Sequence, residues 1–296
     1  SFEAVDSQSY CFEMFVEIAD RVHEQMWTTA ETMRRRVIAM GDNAYKFGGK
    51  VQVAGERLKD VSEPAFLDLR DYVNSACEES KPFAEIPEDS RHTLIEMYLG
   101  TSVLLIGLSL GQLAGTSSLL VPLFESVLST YAALAILVML PIRCSLKITK
   151  IPMDDVERRT TVFIASFLIG LMGAFAIGGN HLLPMAPSLL FLSPTILALA
   201  IDNQIVKLPE SSSRHYVLIG AATVSLILSS ALAYFPLRSL HMCTMLYFVA
   251  HAAFMTVHAQ VSAARIQEKS FCQGQAQLIY IVGIFAIQAL LAAFSG

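Results

Sequence analysis

Beyond residue 96 the chain is a succession of apolar stretches, each long enough to cross roughly 30 Å of hydrocarbon. They cover about 97–114, 119–142, 161–179, 182–201, 216–235, 240–264 and 275–294. Six of the seven contain no Asp, Glu, Lys or Arg, and the second contains only Glu125. Backbone amides must be paired within the segment when the surroundings are lipid, so stretches of this length must be helices. The expected fold is therefore all-α, a seven-transmembrane-helix bundle, with the lipid bilayer as its first partner. The charge distribution agrees. Residues 1–96 hold 11 Lys/Arg and 19 Asp/Glu, a net of −8, whereas residues 97–296 hold 10 and 7, a net of +3.

Cationic residues orient such a bundle, because they concentrate in its cytoplasmic loops. With seven spans, the N-terminal region shares a side with the second, fourth and sixth connections. Arg143, Lys147, Lys150, Arg158, Arg159, Lys207, Arg214, Arg265 and Lys269 fall in those connections, and Lys81 and Arg91 precede the first span. Only Arg238 lies opposite, a count of 11 against 1. The N-terminal region is expected to face the cytosol or, in a mitochondrion, the matrix. Two spans carry small residues at four-residue spacing: Gly107, Gly111 and Gly115 in one, Ser166, Gly170, Ala174 and Gly178 in the other. These strips predict close helix–helix packing. Pro184, Pro187 and Pro194 predict a kinked fourth span.

Residues 1–90 read as a soluble helical extension, and 91–296 as the membrane domain. Apolar residues recur every three or four positions at Phe12, Phe15, Ile18, Val22, Met26, Ala30, Met33, Val37 and Met40. That is one amphipathic helix, ended by Gly41. Shorter helices are expected near 51–61 and after Pro64, and 81–89 reads as the linker to the membrane. A core built from about 90 residues is marginal, and the acidic balance repels anionic lipid. The stripe, above all Phe12, Phe15, Val22, Met26, Met33 and Val37, is thus expected to dock on another membrane-protein subunit. The same acidic balance gives no case for nucleic acid, which needs a clustered basic face.

Chemistry has few candidates. Gly107-Leu-Ser109-Leu-Gly111 matches the nucleophile-elbow pattern, but that elbow needs a strand-to-helix turn, and here it lies within a span. The five Cys are scattered, with no Cys-x-x-Cys pair. His251 and His258 are seven apart and share a helix face, but no carboxylate or Cys accompanies them at metal-ligand spacing. No metal, cofactor or enzymatic activity is expected. Ionisable residues inside spans cost roughly 2.5–3.5 kcal/mol when charged and mark function by default. His251, His258 and Glu125 are candidates on that ground, with paired imidazoles in the bundle interior as the structural reading.

Two segments carry a resemblance. The first span opens Arg91-His-Thr-Leu-Ile-Glu-Met-Tyr98-Leu-Gly, and the sixth contains Phe254-x-x-x-His258-Ala259-Gln260. With the seven apolar stretches they resemble the transmembrane Bax-inhibitor-motif family over about residues 90–296. That family writes its sixth span Phe-x-x-x-Asp-Thr-Gln and carries a second Asp in the seventh. The pair implies a pH-sensitive calcium leak in organellar membranes and a link to cell death. This chain has His258 at the first position and Tyr280 or Val282 at the second. The resemblance makes His258, Gln260, His251, Glu125 and Tyr280 the candidates for an ion pathway or gate. Losing both carboxylates removes the shared proton and the charge that attracts a cation. Two functions are therefore expected: a cation leak of the family type, or a non-transporting structural subunit that docks through its N-terminal helices. The chain is similar to the family's mitochondrial branch, the growth-hormone-inducible member. Ser1, which is not an initiator Met, fits a processed mature form or an excised segment. Both point to the mitochondrial inner membrane, with endoplasmic reticulum or Golgi as the alternative.

Overall fold

The computed structural model describes residues 71, 73–75, 82–118, 120–177, 189–202, 213–237, 242–267 and 271–295. The amphipathic stripe from Phe12 to Met40, Gly178, Pro184, Pro187, and the loop cations Lys81, Lys207, Arg238 and Lys269 lie outside the described residues. Among those described, all regular structure is helical and no strand occurs.

Helix α1 spans Glu88–Gly115. Pro87 precedes it, and Glu88 and Asp89 in its first turn complement the positive end of its dipole. A short helix α2, Val121–Val127, with Pro122 in its first turn, leads to α3 at Thr130–Lys150. The others are α4 at Asp155–Ile177, α5 at Leu192–Ile201, α6 at Arg214–Leu237, α7 at Met242–Arg265 and α8 at Gln273–Ser295. Six of these, α1, α3, α4, α6, α7 and α8, are long and apolar enough to cross a membrane. The chain is a polytopic integral membrane protein. The described part of the fourth stretch, 189–201, contains α5, whose ten residues reach only about 15 Å; Pro194 lies in its first turn, where the missing N–H costs nothing.

Two expectations shift. The second stretch is not one helix from 119 to 142. Leu128 is extended, and the Ser129 side chain accepts a hydrogen bond from Ala132 N–H at 3.2 Å, so a fresh helix starts there. The crossing segment moves toward the C-terminus and ends on Lys147 and Lys150, cations that suit a helix C-terminus and can reach the interface. Glu125 consequently belongs to α2, outside the long apolar helix. Residues 82–87 are also no simple linker. Their single 3-10 turn, Phe83–Glu85, buries Phe83 in the bundle core together with Ile86.

Helix α1 is the axis of the bundle. About 67% of its most apolar window is buried inside the protein, against 17% for α3 at the periphery. It packs on α4, α5 and α8; α3 covers α4, and α6 bridges α5 and α7. The tightest contact is α1 on α4, where the two small-residue strips meet. A Cβ on Gly111 would overlap the Phe167 carbonyl oxygen, and one on Gly170 would overlap that of Leu108. A Cβ on Gly115 would stand 2.5 Å from the Leu171 carbonyl oxygen and 3.0 Å from Ala174 Cβ. Ser166 Oγ donates to the Leu104 carbonyl at 2.6 Å, adding an interhelical hydrogen bond to the same seam. Backbone thus lies against backbone, which only small residues permit.

Gly111→Leu or Gly170→Leu should lower stability by about 1–3 kcal/mol or more, because the opposing backbone cannot yield. Gly220→Leu is the matched control, since nothing lies within 4 Å of its would-be Cβ. Thermal unfolding in detergent should separate the first two from the third, and equal melting of all three would contradict the seam.

A buried histidine–tyrosine cluster as candidate functional site

The close approach of α1 to its neighbours brings its Tyr98 against α7 and α8. On α7, His251 and His258 are two turns apart and face the same way. Tyr280 on α8 stands between them. All four side chains are buried. Tyr98 O–H and His258 Nδ1 are 2.9 Å apart, His258 Nε2 lies 3.0 Å from the Ala276 carbonyl oxygen, and His251 Nε2 lies 2.9 Å from the Tyr280 hydroxyl. The His258 and Tyr280 rings meet edge to face with centroids 5.0 Å apart. Phe254 closes over both, at 6.0 Å from His258 and 5.5 Å from Tyr280.

The hydrogen bonds fix the tautomer of His258. A backbone carbonyl can only accept, so Nε2 carries the proton and donates to Ala276. In the neutral ring Nδ1 is then an acceptor, filled by the Tyr98 hydroxyl and more weakly by Ser262 Oγ at 3.4 Å. Both ring nitrogens are occupied. A proton arriving at Nδ1 finds Nε2–H held on a carbonyl oxygen, which has no proton to release and is a poor base. The arrangement ties three helices together and ends there as a relay.

Charge is missing as well. Neither α7 nor α8 contains an Asp or Glu, and the partners of the cluster are hydroxyls, aromatic rings and one carbonyl. Among the described residues no group of three or more His, Cys, Asp or Glu side chains could hold a metal ion.

His258, His251 and Tyr280, taken from the sequence as candidates, are therefore brought together. Gln260 is not part of this cluster: its Nε2 donates to His215 Nδ1 on α6 at 2.6 Å. Glu125 is not brought there either, because α2 follows the end of α1 remote from Tyr98. Ser109 of the Gly-x-Ser-x-Gly segment sits inside α1 and donates to the Leu105 carbonyl one turn back, while His251 Nε2 pairs with Tyr280. Sequence reasoning missed Tyr98 as the donor to His258, although it stood in the opening segment of the first span. It also missed the amides of Gln112 and Gln288, which bond each other at 2.8 Å between α1 and α8. Their signal was plain: an uncharged polar side chain inside an apolar stretch needs an internal partner.

Compared with protein-family models, curated proteins and solved structures, the chain matches none.

Tyr98→Phe keeps the ring packing and removes the donor to Nδ1. It should cost about 1–3 kcal/mol, the penalty of a buried acceptor left poorly satisfied. Tyr216→Phe, at an exposed position on α6, should cost nothing measurable. Thermal melts of the two variants that coincide would remove the Tyr98–His258 bond from the account.

Proposed function

We propose that this chain is a non-transporting, seven-span membrane protein of Bax-inhibitor type that serves as a structural subunit of an organellar membrane complex. One observation carries the reading. His258 stands where the resembling family places an ion-attracting carboxylate, and both of its ring nitrogens are engaged, by Tyr98 and by the Ala276 carbonyl. A pathway for a cation needs a charged or carbonyl-lined route with room for water. The interior here is instead filled by Tyr98, Tyr247 and Tyr280, all fully buried.

With the fourth stretch, 182–201, taken as a crossing beside the six long helices, the count is seven and the N-terminal region lies on the cation-rich side. The extension, with its stripe from Phe12 to Val37, acts as the arm that docks on the partner subunit, and the mitochondrial inner membrane is the compartment the family likeness favours. A burial of several apolar side chains, each contributing about 1.5–3 kcal/mol, would hold such an arm in place.

Reconstituted into liposomes, the protein should pass calcium no faster than protein-free vesicles, at neutral and at mildly acid pH alike. An acid-gated calcium flux that disappears in His258→Ala would overturn the proposal and make His258 a gate. Mild-detergent purification should meanwhile recover the chain together with a second membrane protein, and removal of residues 1–45 should release it.

A further inference from the structure

The bond between Gln260 and His215 sets the register of α7 against α6 at one end of the bundle. The two helices are consecutive, packed and antiparallel, so Arg214 lies level with Val261, one residue from Ser262. Ser262 Oγ is 3.4 Å from His258 Nδ1, one helical turn along α7. The level of Arg214 is therefore the first level beyond the histidine–tyrosine cluster. The turn ahead of α1 reaches the same place. The Arg214 guanidinium carbon stands 5.3 Å from the centroid of the Phe83 ring, within cation–π range.

Phe83 is a cover at this level. Phe83 and Arg214 are both buried, at 5% and 3% exposure, while Glu85 and Pro87 of the same turn are exposed. The ring face thus lies between a cation and the water it would otherwise attract. The attachment of this cover is slight. The turn's two backbone hydrogen bonds, from Glu85 N–H to the Pro82 carbonyl at 3.2 Å and from Ile86 N–H to the Phe83 carbonyl at 3.1 Å, close within the turn itself. Phe83 and Ile86 are seated in the core, and extended backbone at Pro82 and Pro87 sets the turn apart from α1. Segments held by so few contacts open locally at lower cost than packed helices do.

We propose that residues 82–87 are a strap that closes this end of the bundle, with Phe83 as its plug. Lifting the strap exposes Arg214 and admits water as far as Ser262 and His258, while the helices stay packed on one another. The strap joins the N-terminal region directly to α1, so anything that displaces that region acts on the plug before it acts on the bundle. Closure of the cluster is then a property the N-terminal region controls. The inference goes beyond the structural role proposed above and does not rest on it, because the plug is seated by contacts within this chain alone.

The test uses the full-length protein in nanodiscs, in a background whose five native cysteines are alanine, with a charged thiol reagent that does not enter lipid. Ser262→Cys should react slowly while Phe83 is present. Adding Phe83→Ala should speed that reaction about a hundredfold, since the rate follows the population of the open strap and a buried Phe cut to Ala is worth about two decades or more. Glu85→Ala, at the exposed position of the same turn, should leave the rate unchanged. Ser102→Cys, one turn further into the bundle along α1 from Tyr98, should stay slow in both backgrounds. An unchanged rate at Ser262→Cys on adding Phe83→Ala would overturn the proposal, as would a fast reaction with Phe83 in place. An equal acceleration at Ser102→Cys would overturn it too, because Phe83 would then hold the whole bundle together and not close its end.

Discussion

The rest of the bundle depends on the contact of α1 with α4 through glycine. In water, apolar helices associate because burial removes hydrocarbon from solvent; between helices in lipid that gain is small, and close packing and hydrogen bonds must replace it. Gly111 and Gly170 let each backbone lie on the other, and Ser166 adds its bond to Leu104. With α1 held at the axis, its remaining faces meet α5 and α8. Gly173 then accepts the Phe285 ring from α8, and Gly283 accepts Phe254 from α7. Small residues on one helix thus receive aromatic side chains from the next, which fixes the rotation of α7 and α8 about their axes.

That rotation decides where the polar side chains point. Tyr98, His251, His258 and Tyr280 turn inward and find one another. Ser102 is bonded by Thr195, Ser193 and Ser225 share a hydrogen bond at 2.5 Å, and Gln277 donates to the Met97 carbonyl at 2.9 Å. An unpartnered polar group in such surroundings costs about 1–3 kcal/mol, so these pairs are as decisive for a single helix register as the apolar contacts. Four buried atoms, Gln112 Oε1, Gln288 Nε2, Gln260 Oε1 and the Tyr247 hydroxyl, have no hydrogen-bond partner among the described residues. Internal water at these places would satisfy them without requiring a continuous path.

Much of this was legible in the sequence because lipid restricts the choices. Uncharged stretches announce helices, and small-residue strips at four-residue spacing announced close helix packing, although that the two strips meet each other is seen only in the structure. The histidines two turns apart announced a shared inward face. What stayed hidden followed from geometry that spacing does not encode. The break at Leu128–Ser129 depends on a capping bond inside an apolar run, so 119–142 read as continuous. The turn at Phe83 read as linker because Pro82 and Pro87 with nearby charges resemble one, while the burial of Phe83 and Ile86 depends on a cavity other helices create. The partner of His258 lies 160 positions away on the first span, and no local pattern pairs those residues.

The central claim is that, among the described residues, the histidine–tyrosine cluster is closed to bulk water and its polar groups are engaged with one another. Water access to Ser102 and Ser262 tests it directly, since both are buried and a cysteine is nearly isosteric with serine. In a background whose five native cysteines are alanine, Ser102→Cys and Ser262→Cys should resist a charged, membrane-impermeant thiol reagent applied from either side. Lys150→Cys, at the exposed end of α3, should react promptly. Labelling of Ser102→Cys or Ser262→Cys at a rate near that of Lys150→Cys would reveal a water-filled path and contradict the account.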